Sequence, residues 1–330
     1  MKFLLTAINA KFIHSNPAIY SLRAGVGEKL QPYVELAEFT INESLESILE
    51  GIWKRQPKVI GFSCYIWNWK LIREILTELP KILPDTEIWL GGPEVTYDGP
   101  GLLREFPQVT GIMVGEGEVT FREVLEHYVR ETETAGQSEQ QPEPDRIEQQ
   151  AADRTGTVAG KSVAERFGQI SGLCLASGYT APRELTDLTT LPFLYEDMEP
   201  FTNRIIYYET SRGCPYRCSY CLSSIDKKVR LRDIDVVKRE LQFFLDQNVK
   251  QVKFIDRTFN CNHKHAMEIW QYIYEHDNGV TNFHFEISAD ILREEEISLL
   301  NRFRPGLAQL EIGVQSTNPE TIRAIHRVMD

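Results

Sequence analysis

The stretch that decides the fold is "RIIYYETSRGCPYRCSYC", residues Arg204–Cys221. Its opening, "RIIYYET", is rich in β-branched and aromatic residues and predicts a strand. A loop follows in which Cys214, Cys218 and Cys221 fall within eight positions. Loops directly after strands are where α/β folds place active sites. Three thiolates on one such loop can hold three corners of a 4Fe–4S cube and leave the fourth iron free for a non-protein ligand. A structural zinc site would want a fourth Cys or His, and the nearest downstream candidates, Cys261 and His263, lie a whole strand–helix unit away. The spacing is too tight for relaxed disulfides. The charged and polar neighbours argue against ordinary core thiols.

Strand–helix alternation continues outward from this loop. Downstream, a helix is expected from Asp233, a natural N-cap, to Asp246. Strand "VKQVKFID", a helix over His263–His276, strand "NFHFEIS" and a helix over Arg293–Phe303 follow, then strand "LAQLEIGV" and a helix over Pro319–Val328. Residues 204–330 thus read as four βα units, the beginning of a parallel barrel. Upstream, the first 130 residues show the runs "KFLLTAIN", "VELAEFTI", "KVIGFSCY", "TEIWLGG" and "GIMVGEG" with helical stretches between them. That pattern predicts a five-stranded, doubly wound, flavodoxin-like sheet with a ligand crevice at the strand carboxyl ends. Between the two lies 131–168, rich in Glu, Gln, Thr, Gly and Pro, which reads as a disordered insertion. Residues 169–203 read as a small hairpin, "QISGLCLASGYTAPREL", and an extended connector.

Composition narrows the function classes. Of 330 residues, 42% are hydrophobic and 25% charged, ordinary values for a globular chain. No apolar run is long enough to span a bilayer, and "MKFLLTAINAK" lacks the pattern of a signal peptide. The formal net charge of −12 argues against a broad nucleic-acid surface. Six cysteines, three of them scattered (Cys64, Cys174, Cys261), fit a reducing cytoplasm with a metal or catalytic cluster better than a secreted disulfide scaffold. Cys64 and Cys174 sit in apolar strands and read as core. Cys261 reads first as a small buried hydrophobe, with a site-facing role as the alternative.

The wording "SRGCPYRCSYC", C-x3-C-x2-C with an aromatic before the last cysteine, resembles the radical S-adenosylmethionine (SAM) superfamily. The resemblance implies that Cys214, Cys218 and Cys221 bind the cluster, that SAM chelates the open iron, and that an electron cleaves SAM to methionine and a 5′-deoxyadenosyl radical. It further implies that Tyr220 lies near the adenine. Asp256 in "FIDRTFN" would take the SAM amino group, although the superfamily's Gly-Gly-Glu wording is absent. Ser288 in "EISAD" would take the ribose or carboxylate, and Gln315 in "EIGVQS" the ribose, standing where many relatives carry Glu. A polar strand-end cap is the alternative for each.

The first 130 residues resemble the cobalamin-binding domain that precedes many radical SAM proteins, through "GFSCY", "LGGPEVTYD" and "GEGEVTFREVLE". The implied cobalamin contacts are Ser63, Gly91, Gly92, Gly115, Glu116 and Gly117; plain turn chemistry is the alternative reading of the glycines. In the Asp-x-His-x-x-Gly motif of cobalamin carriers a His is the lower cobalt ligand. Here Phe12 replaces the Asp and Pro17 the Gly, so His14 is not assigned that role. The loop "HSNPA" would still line the corrinoid face. "AINAKFIHSNPAIYSLR" resembles an uncharacterised bacterial branch of this class.

The resemblance implies a cobalamin-using radical SAM enzyme that transfers a methyl group to an unactivated carbon, supplied with electrons by a donor such as flavodoxin or ferredoxin. A small molecule or peptide would be the substrate. The alternatives are a radical SAM enzyme without cobalamin that cyclises or rearranges its substrate, and a binding module without catalysis. A tRNA methylthiotransferase would need three more cysteines in the first 130 residues, where only Cys64 occurs. The superfamily core normally has six βα units, so the four read here are expected to be a truncated product or fragment.

Overall fold

A computed structural model describes residues 1–138, 161–226 and 228–327. The chain divides into two compact units, Met1–Thr186 with Leu194–Glu196, and Asp187–Phe193 with Asp197–Asp330.

The first unit alternates β1 (Phe3–Asn9), α1 (Pro17–Gly25), β2 (Val34–Thr40), α2 (Leu45–Trp53), β3 (Val59–Ser63), α3 (Trp69–Ile82), β4 (Glu87–Gly91), α4 (Gly99–Glu105), β5 (Val109–Met113) and α5 (Gly117–Ser138). Every residue of β1 is buried, as a central parallel strand covered on both faces requires. Helix starts follow local chemistry: Asn16 and Ser44 accept from Ile19 N and Ser47 N, and Pro17 occupies the first turn of α1.

After α5 come α6 (Val163–Phe167), β6 (Leu173–Leu175) and β7 (Gly178–Tyr179). The sheet order is β2-β1-β3-β4-β5-β6-β7. Strands β1 to β5 are parallel in the flavodoxin-like order, while β6 and β7 join antiparallel, β6 along β5. The expected hairpin is therefore present, but it extends this sheet from five strands to seven.

The structure also corrects the expected disordered insertion over 131–168 at both margins. Helix α5 continues to Ser138. Residues 163–167 form α6, opened by a capping box in which Ser162 and Glu165 bond reciprocally. Arg166 then bridges Glu87 and Glu131, and Phe167 is fully buried against Trp89 and Tyr128. Residues 139–160 lie outside the described residues.

The expected connector is split as well. Leu188 and Leu191 belong with the second unit, because their carbonyls accept from buried Arg232 at 2.6 and 2.8 Å. That arginine is held in turn by Glu240, which also accepts from Tyr208 Oη at 2.5 Å.

The second unit contains β8 (Ile206–Tyr208), β9 (Ser211–Arg212), β10 (Arg230–Leu231), α7 (Ile234–Asp246), β11 (Gln251–Phe254), α8 (His263–Glu275), β12 (Asn282–Ile287), α9 (Glu294–Leu300), β13 (Ala308–Ile312) and α10 (Pro319–Ala324). Strands β8, β11, β12 and β13 form one parallel sheet in chain order, which is the expected run of four βα units. Its core is aromatic, with Phe254, Phe259, Trp270 and Phe285 in mutual ring contact. Asp233 caps α7 as expected, accepting from Asp235 N and Val236 N.

Candidate functional site

The cysteine loop leaves the carboxyl end of β8 and returns as β10, which pairs antiparallel with β9. Gly213 stands at the base of this loop with φ +98°, and a Cβ there would meet the Lys228 carbonyl oxygen at 2.5 Å. Only glycine allows the two arms of the loop to pass so closely. Cys214 N donates to Asp226 O, Cys221 N to Cys218 O, and Ser219 N to Ile325 O beyond α10. The backbone on which the thiols ride is therefore pinned at several points.

Cys214 and Cys218 are buried and Cys221 is half-buried. The Thr258 hydroxyl donates to the Arg257 carbonyl, so in its 3.5 Å contact with Cys214 Sγ the thiol is the donor. Among the described residues no three His, Cys, Asp or Glu side chains gather as they would around a single ion. A 4Fe–4S cube makes a different demand, one thiolate on each of three separate irons. Three thiols on a hydrogen-bonded loop after the first strand meet it. His263, one of the distant zinc candidates, is engaged by Glu296 at 2.9 Å.

Asp256, just beyond β11, is the best-connected carboxylate near the loop. It is fully buried and accepts from Thr210 N (2.9 Å), Thr210 Oγ1 (2.7 Å) and Ser211 Oγ (2.6 Å). Burial pushes its carboxyl up to about 6, against hydrogen bonds that favour the charged form. The structure places it as the anchor of the strand end from which the cysteines spring, with its oxygens turned to the chain.

Ser288 is also buried, and its hydroxyl donates to Asp290 at 2.6 Å. Its backbone is clamped by Asn260, which donates to Ser288 O and accepts from Ser288 N. This amide clamp between two strand ends was not found from sequence, since no local motif marks it. Tyr220 is 53% exposed and not packed in the core; its hydroxyl lies 3.5 Å from Arg327 Nη1. Gln315 is exposed, with φ +66°.

Cys261 is half-buried. Burial, with the nearby Cys214 and Asp256 adding to it, pushes its thiol up to about 11. It is neither a plain core thiol nor clear of the cysteine loop. Cys64 and Cys174 are fully buried, as expected.

In the first unit the strand order reverses between β1 and β3, and a polar network pins that point. Asn16 Nδ2 donates to Ser63 Oγ, and Asn68 Nδ2 to the Ile8 and Ser63 carbonyls. Glu38 accepts from Asn9 Nδ2, Asn16 N and Tyr20 Oη. Ser63 is thus tied to the loop after β1. Gly92, at φ +111°, passes so close to Cys64 that a Cβ would lie 2.5 Å from its carbonyl oxygen.

At Gly115, φ +79°, a Cβ would face open space, while one at Gly117 would meet Leu22 at 3.0 Å and one at Gly91 would make ordinary contact with Met113. Glu116 accepts from Thr186 N at 2.7 Å, an anchoring role. The loops at these strand ends also expose Phe12, Ile13, Ile66, Trp67 and Tyr97, with Trp67 stacked on Tyr65. Sequence reasoning did not single out Ile13, Ile66, Trp67 or Tyr97, because an exposed apolar side chain has no periodic signature.

No helix of the described residues is long and apolar enough to cross a membrane. The B12 binding domain family matches residues 4–125, and the Radical SAM superfamily matches residues 208–330. An uncharacterised methyltransferase of Pyrococcus horikoshii is 26% identical over 229 residues, 68% of this chain and 45% of that protein. The cobalamin-dependent radical SAM methyltransferase TokK of Streptomyces tokunonensis is 28% identical over 62% of this chain and 28% of its own length. An anaerobic magnesium-protoporphyrin IX monomethyl ester cyclase of Rubrivivax gelatinosus is 24% identical over 83% of this chain and 46% of its own. The chain thus spans less than half the length of these curated relatives.

Among solved structures, the radical SAM methyltransferase TsrM of Kitasatospora setae superposes with a TM-score of 0.65 at 18% identity, over 98% of this chain and 61% of that one. The cobalamin-dependent radical SAM enzyme OxsB superposes with a TM-score of 0.69 at 17% identity, over 98% and 45%. The expected cofactor set follows from the two family matches: a 4Fe–4S cluster and SAM for the second unit, cobalamin for the first. The chain thus carries a B12-binding domain followed by a radical SAM domain.

Proposed function

We propose that this chain is the cofactor-holding part of a cobalamin-dependent radical SAM methyltransferase acting on an unactivated carbon. The observation that carries the reading is the pairing, in one chain, of the Cys214–Cys221 loop after β8 with a B12-binding domain. Its relatives' names, two methyltransferases among them, support it. When bound, the cluster and SAM supply a carbon-centred radical and cobalamin supplies a methyl carrier.

The chain's own residues hold and orient. Cys214, Cys218 and Cys221 would bind the three closed irons, and Gly213 and Asp256 keep their loop in shape. Tyr220, Ser288 and Gln315 are the proposed SAM neighbours. For Asp256 the geometry supports indirect positioning over contact with the SAM amino group. Gly91, Gly92, Gly115 and Gly117, with Ser63 and Glu116 fixing the backbone around them, would border the corrinoid. Electrons would come from a flavodoxin or ferredoxin in a reducing cytoplasm.

Anaerobic reconstitution tests the reading. About three to four irons per chain, release of methionine and 5′-deoxyadenosine from SAM under a strong reductant, and co-elution of hydroxocobalamin are expected. A chain that takes up no iron overturns the radical SAM part, and hydroxocobalamin that stays unbound overturns the cobalamin part. The similarity to a cyclase over 83% of the chain favours one second reading, ring formation without a methyl carrier. SAM cleavage with no corrinoid retained would select it.

A further inference from the structure

Beside the cysteine loop lies a cleft of about 570 Å³ lined by Pro215, Tyr216, Arg217, Arg323, His326 and Arg327. It holds three arginines and a histidine in a chain whose formal net charge is −12, and no carboxylate is among its lining residues. Arg217, Arg323 and His326 are exposed, whereas Arg327 is half-buried. Arg327 donates through Nη2 to the Gly313 carbonyl at 2.6 Å, but its buried Nε has no hydrogen-bond partner among the described residues. A buried cationic donor left unmade is costly, and an incoming acceptor would relieve it.

Among the described residues no carboxylate forms an ion pair with Arg217, Arg323 or Arg327, and Arg327 Nη1 lies 3.5 Å from the Tyr220 hydroxyl. The carbonyls at the end of α10, those of Thr321, Ile322 and Arg323, already accept from the N–H groups of Ile325, Arg327 and His326. What faces the cleft is therefore side-chain cation and not bare carbonyl oxygen.

We propose that this cleft binds an anionic group, a carboxylate or phosphate, carried by a small molecule that reacts or binds beside the cysteine loop. Arginine's planar fork suits either group. The inference rests on the proposed function for what brings a ligand to this loop, and on the cleft alone for what the ligand carries. Tyr216 and Arg217 lie inside the cysteine loop itself, so an anion held here would sit next to the cluster ligands.

The test is calorimetric titration of the iron-free full chain with inorganic pyrophosphate at low salt, which makes it independent of cluster loading. Saturable one-to-one binding is expected, weakened at least tenfold in Arg323→Gln/Arg327→Gln. Arg217→Gln/Arg323→Gln, which changes only exposed side chains, should also weaken it and guards against a folding defect. Repeating the titration on cluster-loaded chain with and without SAM separates two sources. Loss of pyrophosphate binding in the presence of SAM assigns the cleft to the carboxylate of SAM, and retained binding assigns it to a second ligand. No binding by the native chain, or equal binding by both variants, overturns the proposal.

Discussion

At the scale of single residues, Asp256 organises more of the site than any cysteine does. Three hydrogen bonds from Thr210 and Ser211 converge on a carboxylate that water does not reach. With its carboxyl pushed up to about 6, the native chain holds this proton to a higher pH than the unfolded chain does. The native state then binds more protons between about pH 4 and pH 6, and stability falls as pH rises through that window. The expected change is of order 3 kcal/mol. It is read as the difference in denaturation midpoint between the native chain and Asp256→Asn, in which the slope should flatten. At Gly213 the expected effect is steric. Gly213→Ala forces a left-handed conformation on alanine against the Lys228 carbonyl, at a cost of about 1–3 kcal/mol. Iron uptake after reconstitution should fall with it. The three cysteines were legible in the sequence because their ligand set is local. Asp256 as an anchor was not, because its partners lie 46 and 45 positions away and only folding brings them together. The same holds for Glu38, which collects the loop after β1 from a different strand.

Among the elements, α6 is the one that periodicity could not show. Five residues make barely more than a turn, and they sit in a stretch whose composition reads as disorder. What makes them a helix is the Ser162–Glu165 capping box, a local signal, and Arg166, a non-local one. The Arg166 side chain is 1% exposed and bonds both Glu87 and Glu131 while lying over the Tyr128 and Phe167 rings. Arg166→Ala should leave two carboxylates facing each other in a partly buried site and destabilise the first unit by about 3 kcal/mol, measured by urea denaturation. Ser162→Ala removes only the cap and should cost about 1 kcal/mol. The long parallel strands and capped helices were legible for the opposite reason. β1 is apolar over most of its length, and Asp233 announces its helix within three residues. The antiparallel pair β6–β7 was legible as a hairpin, but not its attachment to β5, since nothing local states which edge a short strand will join.

For the molecule as a whole, the division into two units with separate cores predicts separable cofactor binding. Cys214→Ala/Cys218→Ala/Cys221→Ala should abolish iron uptake and leave hydroxocobalamin affinity within about twofold of the native chain, because sites that share no partners behave additively. Gly92→Val should do the reverse, since its side chain would enter the Cys64 backbone in the first unit only. Absorbance of the gel-filtered protein reads both cofactors. The bond from Ser219 N to Ile325 O, together with the contact of Arg327 and Tyr220 across 107 positions, has a further consequence in time. Such long-range closures form late, because their loop entropy must be met before they return anything. The middle of the cysteine loop therefore reaches its final shape only after the segment following β13 has docked. Iron delivered to the nascent chain before then would find a tether still loose, and a maturation system would do best to wait until that segment has docked.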